Sequence, residues 1–185
     1  MANVTDICNK ALAKIGDEIT ITTLEEDSKA ARYCKLLYEP TKNFLLRQYA
    51  WRFALKRYSL APTGEKPVFG YGHTFNIPKD CLRVVKTEDD MPFTVEGNHI
   101  LYDSNVLNFI GITNVSDANA FDACFIEALT TQLAIELCVP ITGDLQAKQQ
   151  LKQDLAEQIR IAKKCSAFEV YPITMQVSGA LESRL

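Results

Sequence analysis

The chain has 185 residues, enough for one domain of ordinary size with a substantial core. Hydrophobic residues make up 47% and charged residues 23%, close to the globular average, which excludes a disordered or fibrous chain. A net charge of -3 excludes a wholesale polycation that coats DNA, while leaving room for a local basic patch.

No stretch approaches the roughly 20 apolar residues that span a bilayer. The first residues also lack a signal peptide's charged-then-apolar order, so the expectation is a protein made and kept on the cytosolic side, with no membrane partner. Cys8, Cys34, Cys81, Cys124, Cys138 and Cys165 form no C-x-x-C pair, and neither His73 nor His99 stands at a metal-ligand spacing from them. The cysteines read as small apolar fillers.

In chain order, Ile7, Cys8, Ala11, Leu12 and Ile15 recur at helical spacing, and Gly16 offers a left-handed stop, so a helix is expected over residues 4–15. Glu25, Glu26, Asp27 and Ser28 then supply a cap and an acidic first turn. Ala31, Cys34, Leu37 and Tyr38 form the next stripe. Pro40 either kinks this helix or opens a new one through Phe44, Leu45 and Tyr49.

After Trp51 the texture changes to short β-rich runs at 73–77, 82–87, 93–96, 100–102 and 106–113, with Gly97-Asn98 as a hairpin turn. Such short strands need support, so they are expected as a small sheet packed on the helices. Ser116 or Asp117 is the expected cap of a long helix bearing Phe121, Cys124, Phe125, Ala128, Leu129, Leu133 and Leu137, ended by Val139-Pro140 and Thr142-Gly143. A last helix places Leu145, Leu151, Leu155, Ile159 and Ala162 inward, with Lys163 and Lys164 near its end.

The fold class expected is mainly α: a helical bundle with a small antiparallel β insertion and an extended C-terminal tail. Its parts are N-terminal helices over 1–60, the insertion over 61–116, C-terminal helices over 117–167 and a tail over 168–185. Val170, Tyr171, Ile173, Met175, Val177 and Leu181 make that tail too apolar for an ordinary solvated terminus, so it is expected to dock on a partner.

No nucleophile motif, phosphate loop or calcium loop is present, and no cofactor or metal site is expected. Thr63-Gly64-Glu65-Lys66-Pro67 copies a zinc-finger linker without the fingers and reads as a turn. Glu88, Asp89 and Asp90 read as a solvated loop between strands. Arg47, Arg52, Lys56, Arg57 and Lys66 interleave with Tyr49, Trp51, Phe53 and Tyr58. That pattern suits single-stranded nucleic acid, or a packed element whose cations meet the acidic segment 69–122 within the subunit or across an interface. The second reading is preferred.

Assembled in order, these pieces resemble the head-to-tail adaptors of short-tailed bacteriophages, the tail tubular protein A family. The likeness runs from about residue 4 to 165. It begins with the Ala11 to Gly16 helix end and Ile21-Thr22-Thr23-Leu24, and continues with Ala30-Ala31-Arg32-Tyr33-Cys34, Leu45-Leu46, Trp51, Phe53-Ala54 and Arg57. Ile77-Pro78-Lys79-Asp80-Cys81-Leu82-Arg83-Val84, the Val95-Glu96-Gly97 hairpin with Ile100-Leu101, and Phe121 with Ala128-Leu129 and Leu133-Ala134 complete it.

The resemblance implies a non-catalytic virion protein at the head-tail junction, assembled in the host cytoplasm. It would form a twelve-subunit ring between the portal protein and the tail nozzle or tube protein, through which DNA passes without sequence-specific binding. On that reading Val170, Tyr171, Ile173, Met175, Val177 and Leu181 dock on the portal, and Arg52, Lys56 and Arg57 supply ring-interface charge. Glu88, Asp89 and Asp90 lie nearer the DNA path or the tail. The free subunit is expected to be a monomer. The alternatives are a head- or tail-completion protein of a long-tailed phage and a small nucleic-acid-binding module.

Overall fold

A computed structural model of the chain describes residues 3–16, 18 and 20–168, with side chains through residue 163. The tail residues Val170, Tyr171, Ile173, Met175, Val177 and Leu181 lie outside the described residues, as does the Lys164 side chain.

Helix α1 (Val4–Lys14) is opened by Asn3, whose side chain accepts the Asp6 amide at 2.9 Å, and is closed by Gly16 at φ 76. Its buried face is Ile7, Cys8, Ala11 and Leu12. From its polar side Asn9 grips the following segment twice, donating to the Ile21 carbonyl at 2.9 Å and accepting the Ile21 amide at 2.8 Å.

Helix α2 (Lys29–Gln48) starts where Ser28 Oγ accepts the Ala31 amide at 3.1 Å. It runs through Pro40 as one helix, and the missing proline N–H leaves the Leu36 carbonyl without its helical donor. Lys42 is fully buried on this helix, and its ammonium is held by Glu39 one turn earlier at 2.8 Å. At the end of α2 the Trp51 indole donates to the Leu45 carbonyl at 3.1 Å, supplying one of the partners that a helix terminus lacks.

The strands are β1 (Leu55–Leu60), β2 (His73–Asn76), β3 (Cys81–Thr87), β4 (Thr94–Glu96), β5 (His99–Tyr102) and β6 (Leu107–Thr113). They form two antiparallel sheets, ordered β1-β6-β3 and β2-β5-β4. Helix α3 (Ala123–Thr142) is capped by Asp122, which accepts the Cys124 amide at 2.8 Å, and is closed by Gly143 at φ 72. The expected cap, Ser116 or Asp117, does not serve, and Asp117 instead opens the short 3-10 turn Ala118–Ala120. Helix α4 (Leu145–Phe168) begins on Asp144, which accepts the Gln146 and Ala147 amides at 2.8 and 3.0 Å. Leu151, Ile159 and Ala162 are buried as expected, whereas Leu145 is exposed.

The two cores arrange these elements in three layers. The helices pack on one face of the first sheet through Ile112, Leu55, Leu82 and Val85. The opposite face, with Tyr58, Cys81, Leu107 and Phe109, packs on Phe75, Ile100 and Tyr102 of the second sheet. The central strand β6 is therefore covered on both sides, and Tyr58 stacks on its cross-strand partner Phe109 at 4.9 Å.

Two further expectations are overturned. The described residues form an α+β fold, with four α-helices and two three-stranded antiparallel sheets, and not a mainly α bundle with a small β insertion. The reason is that Leu55–Leu60 forms a strand ahead of the expected β region, completing a sheet that serves as the middle layer. Helix α3, at 20 residues and mean hydropathy 1.5, is also long and apolar enough to cross a membrane by length and composition. It is the core helix here, packed against α1, α2 and α4 with 56% of its apolar window buried.

Four rings join the segment after α2 to the start of α3. Phe125 lies 5.0 Å from Trp51, 4.9 Å from Phe53 and 5.0 Å from Phe121, centroid to centroid. We expect Phe125→Ala to cost about 3–5 kcal/mol in urea unfolding. Gly111→Ala should cost roughly 1–3 kcal/mol, because the new methyl would sit 2.9 Å from Cys81 Sγ and 3.0 Å from the Phe109 ring. A loss below about 1 kcal/mol for Phe125→Ala would show that the ring cluster is not the joint of the fold.

Candidate functional site

The residues singled out for charge do not form one face. Arg52 follows α2 at the start of β1, and its neighbours Lys56 and Arg57 point to opposite faces of that strand. Lys56 lies on the side of the second sheet, where its ammonium meets Asp80 at 2.8 Å and sits 5.0 Å from the Tyr58 ring centroid. The acidic neighbour expected for this segment is thus supplied within the subunit, at least for Lys56.

Asp80 is the hub of that corner. It also accepts the Tyr58 hydroxyl and the Thr113 hydroxyl, each at 3.2 Å. The Lys56 ammonium, ahead of the hydroxyls, holds the Asp80 carboxyl below the usual carboxylate range, and Asp80 in turn raises Lys56.

Arg57 emerges on the other face, where the first sheet extends past the helices. There Arg57, Ser59, Lys86, Glu88, Asn108 and the half-buried Ile110 line a shelf-like cleft of about 400 Å³. Glu88 and Arg57, read from sequence as belonging to different surfaces, share this shelf. Glu88 accepts the Asn108 side-chain amide at 2.8 Å. Asp89 accepts the Tyr102 hydroxyl, which lowers the Asp89 carboxyl, while burial and then Asp89 push the Tyr102 phenol up to about 12. Asp90 pairs with Lys86 at 3.7 Å and takes a left-handed backbone, φ 54. The three carboxylates are exposed, and each is tied into the β3–β4 turn.

A second cleft, of about 300 Å³, opens at the start of β1 between Tyr49, Ala50, Trp51 and Arg52 on one side and Ile159, Ala162 and Lys163 of α4 on the other. The Lys163 ammonium lies 4.7 Å from the Tyr49 ring centroid, a cation–π contact that fixes its rim. Sequence reading missed two further surfaces. One is the stripe of α2 that exposes Leu36 and Phe44. The other is the tip of the β1–β2 loop, Val68 and Phe69, for which the signal was present: an apolar pair enclosed by Pro67 and Gly70 has no strand to join.

His73 and His99 lie on paired strands of the second sheet, opposite Tyr102 and Asn76 respectively. Among the described residues no group of three His, Cys, Asp or Glu side chains is placed to hold a metal ion. Cys8, Cys34, Cys81 and Cys138 are buried, and the hydrogen bond between the Cys8 and Cys34 thiols, then burial, pushes Cys8 up. What the described surface offers chemically is contact: apolar projections, clefts with charged rims, and carboxylates held in turns. No protein-family model matches the chain, and no curated protein matches it.

The Asp80 corner sets a pH dependence. Its folded carboxyl is depressed, so its contribution to stability is present above the ordinary carboxylate value of about 3.9 and is lost as pH falls through the lower folded value. The raised Lys56 keeps the pair charged up to the alkaline side. We expect urea midpoints of the wild type and Asp80→Asn to differ at neutral pH and converge in strong acid. Equal midpoints at neutral pH would show that the corner carries no stability.

Proposed function

We propose that the chain is a structural, non-catalytic virion protein, a head-to-tail adaptor that stands in a ring between portal and tail tube and leaves a path for DNA. What supports this reading is the ordered set of motifs by which the sequence resembles the adaptor family. Those residues fall at the joints of the fold. Trp51, Phe53 and Phe121 meet in the ring cluster, Asp80 anchors its corner, and Ile21 is the segment gripped by Asn9. The surface is consistent with an assembly member, since large apolar side chains stand clear of the core at Val68, Phe69, Leu36 and Phe44.

The nucleic-acid module is the weaker reading on a specific ground. Its aromatic platform would need open ring faces, yet Trp51 and Tyr58 are buried and Phe53 is packed among Trp51, Phe121 and Phe125.

On this proposal the apolar tail supplies the grip on the portal. Deleting residues 169–185 is expected to leave the melting temperature unchanged and to abolish binding to purified portal. A truncated protein that loses several kcal/mol of stability and still binds would assign the tail to the subunit's own core. Burial of the tail's apolar side chains on a partner would supply part of the assembly free energy, less the cost of ordering the tail, so the isolated protein should be mainly monomeric at micromolar concentration by light scattering. A stable twelve-subunit particle formed without portal would contradict this.

A further inference from the structure

Strand β1 is an edge, since the first sheet runs β1-β6-β3 and β1 pairs with β6 alone. Its six-residue ladder, from Leu55 opposite Ile112 to Leu60 opposite Leu107, carries no bulge. Among the described residues no other hydrogen bond reaches the backbone of residues 56–60, so the outward amides and carbonyls there stand without a protein partner. The other strand edges are blunted. β3 is broken twice by bulges, β4 is three residues long, and β2 is bridged by Thr63, whose amide and hydroxyl both donate to the Thr74 carbonyl, at 2.8 and 3.2 Å. One long, regular strand edge is left open.

An edge of this kind takes an extended segment through main-chain bonds, and the charges on β1 select which one. Lys56 and Arg57 stand side by side and exposed on the strand, so the β1 of a second copy laid along it would crowd four cations into one seam. A neutral strand fits. Residues 173–178 supply one: Ile173, Met175 and Val177 alternate with Thr174, Gln176 and Ser178, between Pro172 and Gly179. The run carries no charge, matches β1 at six residues and puts its apolar row on one face, as a strand at a half-covered edge requires.

The chain also delivers this run to the right place. Helix α4 lies against residues 49–52, just ahead of β1, through Ile159, Ala162 and Lys163, with the Lys163 ammonium 4.7 Å from the Tyr49 ring centroid. From residue 163 to the end of α4 is roughly 7 Å of helix, and residues 169–172 add up to about 14 Å of extended chain. That is enough to bring Ile173 to the Leu55 end of the strand.

We propose that the open edge of β1 is the seat, in the free subunit, of residues 173–178 of the same chain. The contact goes beyond the adaptor reading and does not depend on it, since it concerns where the segment rests before any partner is met. Ordering six residues offsets most of what their bonds and burial return, so the seat is shallow. It shows in local exchange at β1 and not in the melting temperature. Its effect is to close the edge on which copies could stack strand to strand, while leaving the segment free to be drawn off by a stronger partner.

The test is amide hydrogen exchange by NMR on the full-length protein and on its Thr174→Pro/Gln176→Pro variant, which removes two main-chain donors from the segment and leaves residues 1–168 unchanged in sequence. The outward amides among residues 56–60 are expected to exchange roughly threefold slower in the wild type than in the variant, with the β6 amides alike in both. The slowing should persist on dilution. Equal rates at residues 56–60 overturn the seat, and so does a difference that extends to β6, which would be a change in the whole domain. Slowing that fades on dilution overturns it as well, because the segment then comes from a second copy. If the slowing is found as expected and purified portal does not bind the protein, the seat stands and the adaptor reading fails. If portal binds and the two proteins exchange alike at residues 56–60, the seat fails and the adaptor reading stands.

Discussion

The packing of Phe125 against Trp51, Phe53 and Phe121 is the contact on which the rest of the architecture depends. These rings come from the segment between α2 and β1 and from the start of α3, so one cluster sets where the first helical pair ends, where the first sheet begins and where the chain returns to helix. Trp51 has a second task in the same place, donating its indole N–H to the Leu45 carbonyl at the C-terminal end of α2. Packing and hydrogen bonding act through one side chain, which accounts for the abrupt change from helix to strand within a few residues.

The middle sheet passes that order outward. Because β6 pairs with a strand on each side and packs on one face through Ile112 and on the other through Leu107 and Phe109, β1 and β3 are held as edges, and the loops leaving them inherit fixed stems. The Asp80 corner clamps β1 to the start of β3 through Lys56, Tyr58 and Thr113. The β3–β4 turn is held through Glu88, Asp89 and Asp90 in the same way. Of the cations singled out from the linear sequence, Lys56 is thus committed within the subunit, and the three carboxylates of the β3–β4 turn are bonded there too. Large apolar side chains stand exposed at Val68, Phe69, Leu36 and Phe44.

Much of this was legible in the sequence, and the failures have physical causes. Helices α1 and α2 could be placed because Ile7, Cys8, Ala11 and Leu12 keep strict helical spacing and Ser28 is a strong cap. Strand β1 was missed because Leu55-Lys56-Arg57-Tyr58 does not alternate: with a layer on each side only part of the time, Leu55 is covered on one face and Tyr58 on the other. Lys42 shows a related limit, since a lysine in the core is invisible to hydropathy and becomes tolerable only through Glu39. The cap of α3 was assigned to Ser116 or Asp117 when Asp122 serves, because Asp117 and Asp122 each begin a helical turn and composition does not rank them. For the site, adjacency misled. Lys56 and Arg57 are neighbours in sequence but part company at the strand, while Arg57 and Glu88 are brought together by strand pairing.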